Sequence, residues 1–400
     1  MKLEKKALLL SALANGRYPL GYVDIDLYHL LRFNDYEGFR PGLGLMTSDR
    51  LSRWVSLGGY GGYGFKDKAW KYGGDLKINF NRLKTTFIDI EAAREVKETA
   101  GTQFLTPGNP LFDPSAYRDL MISKMDKVDF GRISFNTGIY RFIKLSAFFD
   151  VRQQASPFGY MASDAIVPAT EQHTFNFNTT GLQLRIWPGE KFTESMGRLM
   201  SSGSKWPVFY VNLTKGLNTT IGQYSGQFDF TKIDLRIEQK LPFKIKGYLW
   251  YELQAGKVFG NVPYSLQYNN KGSRASAYAL SVENTMETMY LNEFTSTQYA
   301  AVFLSLNSGQ FLKPYRYSRP EIELVHNYII GNISNPSQLA SNVPLKDLSK
   351  GYTEAGIRLR NILVYNFSGF GAGFFYRYGN YASPKSTNNL VIKLVFNFVL

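Results

Sequence analysis

Along much of this chain apolar and polar residues alternate one by one, the period of a strand with unlike surroundings on its two faces. From residue 243 to 255, Phe243, Ile245, Gly247, Leu249, Tyr251, Leu253 and Ala255 fall on one parity. Lys244, Lys246, Tyr248, Trp250, Glu252 and Gln254 fall on the other. At about 3.3 Å per residue such a ribbon spans roughly 43 Å, enough to cross a bilayer core even when tilted. Residues 143–152 set Ile143, Leu145, Ala147, Phe149 and Val151 against Lys144, Ser146, Phe148, Asp150 and Arg152. Residues 71–80 repeat the pattern. The same period marks 42–47, 55–65, 85–93, 175–187, 208–215, 228–238, 300–306, 321–330, 353–360 and 363–377 as further strands, with a bulge expected between Phe230 and Ile233.

Tight connections are expected at Asn81-Arg82-Leu83, Leu241-Pro242 and Asn361-Ile362. Long ones, rich in Ser, Asn, Pro and Gly, are expected over 97–124, 154–173, 259–284 and 334–350. Short turns at one end and long loops at the other describe an outer-membrane barrel. The expectation is an all-β, closed, antiparallel transmembrane β-barrel of about 14 to 16 strands, with even strand number the rule. Taken in order, the strands leave some long loops at the turn end. A hairpin is therefore missed or invented, between 97 and 124 or between 260 and 296.

The last segment is apolar on one face to its end: Leu390, Ile392, Leu394, Phe396, Phe398 and Leu400 oppose Val391, Lys393, Val395, Asn397 and Val399. Closure of a barrel needs this strand to pair with the first. The row ending in Phe396, Phe398 and Leu400 resembles the signal read by the barrel-assembly machinery, with Leu400 in place of the usual terminal aromatic. The alternative is a buried last strand of a soluble sandwich, against which the strand lengths argue.

The first fourteen residues, MKLEKKALLLSALA, imitate a signal peptide but are short for one. The reading favours an amphipathic helical turn stopped by Asn15-Gly16. Residues 1–35 are then a lead-in segment and 36–400 the barrel, which is expected to be the membrane domain of a longer exported protein.

Composition agrees with this class. Aromatic residues make up 16% of 400, Gly numbers 36, and Cys is absent, which removes disulfides and Cys-ligated metal centres. The net charge of +14 is carried by Lys and Arg spread singly, as at Lys244, Arg358 and Arg360, rather than in the cluster a nucleic-acid protein needs. Lipid head groups or a wet lumen account for it as well. Trp187, Trp206 and Trp250 are candidates for interfacial anchors, with core packing as the alternative.

Several phrases carry a resemblance: Tyr36-Glu37-Gly38-Phe39-Arg40 with Gly42-Leu43-Gly44-Leu45, Leu57-Gly58-Gly59-Tyr60, 63–68, and Asn292-Glu293-Phe294 with Tyr299-Ala300. From about Gly16 to Leu400 the chain resembles a family of Gram-negative outer-membrane β-barrels of unknown function. In that family the barrel follows a carboxypeptidase-regulatory-like domain, and the barrel is distantly similar to BamA-like surface-antigen barrels. The resemblance implies an outer-membrane location and a role in assembly, anchoring or translocation. The Arg-Gly-aromatic motif of BamA-like lumenal loops is missing here, which speaks against insertase activity.

Motifs of covalent chemistry are not found. The three His (His29, His173 and His326) share no ligand spacing, and neither a phosphate loop nor a nucleophile elbow occurs. His326 beside Glu323, or His173 near Asp164, lacks a third group to complete a site. No enzyme activity, cofactor or metal is expected. The expected partners are outer-membrane lipid and lipopolysaccharide, the assembly machinery, and a periplasmic domain or envelope protein, with no nucleic acid. The rival readings are a porin-like channel for small anionic solutes and, more remotely, a soluble all-β binding protein.

Overall fold

The computed structural model describes residues 16–400 apart from 82–84, 106–113, 163–169, 196–197, 223, 245, 276–277, 311–312, 336–337, 340–341, 366–367 and 399–400. The lead-in helix expected over 1–14 and the terminal Leu400 lie outside the described residues.

The strands are β1 (Arg17–Pro19), β2 (Val23–Asp26), β3 (Leu31–Asn34), β4 (Gly38–Thr47), β5 (Val55–Gly64), β6 (Ala69–Asn81), β7 (Thr86–Glu98) and β8 (Met125–Tyr140). There follow β9 (Ile143–Ala162), β10 (Thr170–Ile186), β11 (Lys191–Ser195), β12 (Arg198–Gly203), β13 (Val208–Leu217), β14 (Thr220–Ile221), β15 (Tyr224–Ser225) and β16 (Phe230–Pro242). The last are β17 (Tyr248–Phe259), β18 (Gly272–Arg274), β19 (Met286–Tyr290), β20 (Gln298–Gln310), β21 (Glu321–Asn332), β22 (Leu348–Tyr365), β23 (Ser368–Tyr378) and β24 (Leu390–Phe398). An 18-stranded sheet holds all of these except the pairs β11–β12, β14–β15 and β18–β19. Its strands pair antiparallel with their neighbours in the chain, from β4 through β10, β13, β16, β17 and β20 to β24. The count exceeds 14 to 16 because β1 is a short addition and the first ribbon is broken. β2 pairs with the end of β4 and β3 with its start, around a 3-10 turn at Leu27–His29.

The sheet has its polarity reversed relative to a soluble domain. Leu57, Ile133, Leu235, Leu324, Ile357, Ile392 and Leu394 are among many exposed apolar residues on its outer face. On the inner face Lys71, Asp150, Glu252, Glu323, Glu354, Arg358 and Lys393 are buried. Water on the outer face would select the opposite distribution, so the convex surface suits hydrocarbon.

The loop parity left open by the sequence closes once β8 is present. The connections that follow β4, β6, β8, β10, β16, β20 and β22 fall at one end of the sheet, and those that follow β5, β7, β9, β13, β17, β21 and β23 at the other. Strand β8 escapes a period-two reading because its apolar residues change face. Val128 is buried on the inner side, whereas Ile133 and Phe135 are exposed on the outer. The one long connection at the turn end, 187–207, is folded as the hairpin β11–β12.

Three expected boundaries shift. The ribbon expected over 243–255 begins at Tyr248, and the turn falls at 243–247, where Phe243 N–H bonds the Gly247 carbonyl and Gly247 takes φ +84°. Asn361-Ile362 is a bulge inside β22, with Asn361 at φ +56° and the register slipping between Leu359 and Leu363. Most of the expected loop 154–173 is strand, since β9 and β10 run on to Ala162 and from Thr170.

Closure by pairing of last strand with first is also corrected. Among the described residues β24 bonds β23 on one edge only, and its other edge meets residues 279–281. Leu394 N–H donates to the Ala279 carbonyl (2.6 Å) and Ser281 N–H to the Leu394 carbonyl (2.8 Å). The first ribbon, broken at Leu27–His29, presents no continuous edge for β24 to zip onto.

Candidate functional site: the interior segment and the seam

Residues 260–297 join β17 to β20 by passing along the concave side of the sheet, where Val262–Asn270 and most of 285–297 are buried. Apolar packing begins the anchoring. Tyr264, fully buried, sits 4.6 Å from Phe158 edge-on, and Met286, Met289 and Phe294 pack with Phe303, Ile329 and Tyr352. Close approach needs a gap in the wall at Gly256, where a Cβ would lie 2.6 Å from the Tyr268 hydroxyl oxygen. That hydroxyl donates to Asp234 at 2.7 Å, while the Lys232 ammonium lies 4.4 Å from the Tyr268 ring and donates to the Leu266 carbonyl.

Polar anchors come from several wall strands. The Glu287 carboxylate meets Lys393 of β24 at 2.7 Å and Arg358 of β22 at 2.8 Å, and accepts from Ser281 at 2.6 Å. Burial alone would raise the Glu287 pKa, but Lys393 and Arg358 outweigh it and hold the carboxyl below its ordinary value. Glu354 of β22 accepts the backbone N–H groups of Glu287 (2.7 Å) and Thr288 (2.8 Å) and the amide of Asn327 (2.8 Å). Arg377 of β23 grips Glu293 through both terminal nitrogens, at 3.0 and 3.1 Å. From the opposite side Arg118 bonds the Gly272 carbonyl (3.0 Å) and pairs with Glu98, which also accepts from Asn269 (2.6 Å). Lys271, half-buried near Glu252, has its pKa pushed down to about 8 by loss of solvent around its ammonium, with Glu252 partly opposing the shift.

This segment also reaches the seam. Tyr278 places its ring 6.1 Å from Phe33 of β3, while 279–281 bond β24, so one stretch touches both edges of the sheet. Beside it, Phe396 contacts Tyr117 at 5.6 Å and Phe370 at 5.4 Å. Phe398 pairs through its backbone with Ser368.

Of the tryptophans, Trp206 is 63% exposed and Trp187 donates its indole N–H to the Trp206 carbonyl at 3.0 Å, at the turn end of the sheet. Trp250 takes the core-packing alternative to an interfacial anchor. It shares the inward parity of Glu252 and Gln254 and packs against the Phe303–Tyr352 cluster. Glu323 points inward to Arg358 and Arg360, whereas His326 lies on the other face and meets the Glu354 carbonyl, so the pair is not assembled. His173 bonds Ser156 and Glu171, and Asp164 lies outside the described residues. Sequence reasoning missed the Glu287 cluster altogether. The inward parity of Lys393 and Arg358 was visible, but their partner is 106 and 71 residues away in a stretch with no period.

Comparison with known proteins agrees with this architecture. Residues 20–312 match the C-terminal domain of a family of unknown function, DUF5686. No curated protein matches the chain. Among solved structures it is similar to BamA from Haemophilus ducreyi lacking POTRA domains 1-3, at 9% identity and TM-score 0.57, over 92% of this chain and 69% of that one. It is also similar to CdiB from Acinetobacter baumannii (11% identity, TM-score 0.42, 89% of this chain and 56% of that one). CdiB from Escherichia coli gives 10% identity and TM-score 0.48, over 94% and 62%. The chain spans less than two thirds of either CdiB.

Proposed function

This chain belongs to the DUF5686 family, through its C-terminal domain, and we propose that it is an outer-membrane β-barrel with its own chain in the lumen. In this reading it is the membrane domain of a larger exported protein and serves envelope assembly, anchoring or translocation through its wall, its interior segment and its seam. Covalent chemistry has no part in it.

The observation that carries the proposal is the segment 260–297, held against the wall by Glu287–Lys393, Glu287–Arg358 and Glu293–Arg377. A passive pore has no use for so many buried ionic anchors across its path. The apolar outer row supports insertion in lipid, and the likeness in fold to BamA supports an outer-membrane barrel.

The porin-like reading draws on a polar cavity of about 480 Å³ beside β4–β8. Its lining includes Asp26, Asp75, Asp89, Glu91 and Glu95 against Arg32, Lys97 and Arg132, an acidic excess that disfavours anionic solutes.

The test is refolding in detergent followed by planar-bilayer recording. The expected result is a heat-modifiable gel shift and an electrically silent wild-type protein, with steady conductance once residues 262–296 are replaced by a short Gly/Ser linker. Ohmic wild-type channels would overturn the plugged reading in favour of the porin. A monodisperse β-protein without detergent would overturn the membrane reading.

A further inference from the structure

The outer face carries a trough in its apolar row. Across four neighbouring strands the register aligns Leu235, Ala255, Ala300 and Ile330, so two small side chains sit between two large ones. Three strand spacings of ~4.8 Å set the flanking residues on the order of 14 Å apart. The trough opens outward as a groove of about 610 Å³.

The next register row toward the end of the sheet with long connections reads Ile233, Lys257, Gln298 and Asn332. Lys257 is the one charged side chain among the described residues lining the groove. It is exposed, and its ammonium rests 4.8 Å from the centre of the Phe259 ring, at the rim side. Ser349 adds a hydroxyl there. From the start of β17 at Tyr248 to Lys257 the strand climbs nine residues. At about 3.3 Å each and a tilt of about 40° that is roughly 23 Å of height, close to the ~25 Å apolar band of a barrel. The apolar trough therefore lies within the hydrocarbon and Lys257 at head-group level.

We propose that this groove binds a phosphorylated glycolipid of the outer leaflet, of the lipid A class, with an acyl chain over Ala255 and Ala300 and a sugar phosphate at Lys257. The inference rests on the outer-membrane reading above, which puts the long connections outside. Two amides and a hydroxyl beside a single cation suit a phosphorylated sugar, whose hydroxyls need neutral partners, better than a simple phosphodiester.

The test is native mass spectrometry of the detergent-solubilised chain with diphosphoryl lipid A, dephosphorylated lipid A and phosphatidylglycerol. Wild type should hold one diphosphoryl lipid A. Lys257→Ser should bind it about tenfold more weakly, the effect of losing one charge-assisted hydrogen bond. Dephosphorylated lipid A should bind both proteins alike, at that weaker level. Ala255→Leu with Ala300→Leu, which fills the trough with side chains suited to lipid, should abolish the adduct. Equal diphosphoryl lipid A binding by all three proteins overturns the site. Phosphatidylglycerol binding as tightly, with the same loss in Lys257→Ser, overturns the glycolipid in favour of an ordinary phospholipid. A folded, heat-modifiable protein that binds none of the lipids sinks the groove alone, whereas loss of heat-modifiability in the wild type sinks the reading beneath it.

Discussion

Glu287 and Lys393 lie 2.7 Å apart, and both side chains are almost wholly removed from solvent. One belongs to the interior segment and the other to the last strand, so the contact ties what fills the concave side to the edge where the sheet stops. Arg358 completes the cluster at 2.8 Å from the same carboxylate.

Glu287→Gln leaves the buried Lys393 ammonium without its counter-charge and Arg358 with only Glu323, 3.6 Å away, a change that costs about 3–5 kcal/mol in comparable sites. The expected outcome is a lower unfolding midpoint in detergent, with faster hydrogen exchange in 272–290. The folded pKa of Glu287 is depressed, so its stabilisation is fully present above the ordinary Glu value and fades as pH falls through the folded one. Wild-type protection of 272–290 should therefore hold at mildly acidic pH, decline in stronger acid, and be flat over that range in Glu287→Gln. An unchanged midpoint with wild-type acid dependence would remove the cluster from the anchoring.

Lys271 predicts a slope of the same sign in the alkaline range. Its folded pKa of about 8 lies below the ordinary Lys value, so above pH 8 the unfolded segment binds more protons than the folded one, and stability rises with pH until the ordinary value is reached. Hydrogen exchange of residues 262–273, corrected for its intrinsic pH dependence, should slow from pH 8 to about pH 10. Lys271→Met should abolish that slope. A wild-type segment loosening over this window would contradict a desolvated Lys271.

The seam can be fixed chemically because the chain has no Cys of its own. Leu280 and Leu394 are bridge partners, so Leu280→Cys with Leu394→Cys should form a disulfide on mild oxidation. The readout is a mobility shift on non-reducing gels, reversed by reductant. Failure to cross-link in the folded, heat-modifiable protein would mean that residues 279–281 do not cover the β24 edge. If the role in the envelope requires the seam to part, the oxidised variant should fail to restore a deletion strain and the reduced one should succeed.

Ile357 is 44% exposed on the outer face of β22. Ile357→Arg should destabilise the protein by ~2–4 kcal/mol if the site faces the bilayer midplane. Chemical unfolding from lipid vesicles measures this, and a neutral effect would place water against that face.

The alternation of residues such as Leu390, Ile392 and Leu394 against Lys393 carries the strand assignment, because a pleated ribbon puts successive side chains on opposite faces whatever its neighbours do. Trp250 shows that parity outranks residue type, since it follows Glu252 and Gln254 inward although an indole suits an interface. Strand β8 shows the limit of the rule. Where the inner side is packed, as at Val128, an apolar residue serves inward, the contrast between faces vanishes, and with one strand lost every later loop changes ends.

The sequence by itself determined an all-β chain of long ribbons with an apolar row on one side, because period two is a local property. Tertiary structure alone decided what lies within and at the edge. Residues 260–297 have no period, and their course is set by Glu287 finding Lys393 and Arg358, by Glu293 finding Arg377, and by a gap at Gly256 for Tyr268. Such pairings join residues far apart in the chain, and their energy exists only once the wall has brought them together and excluded water.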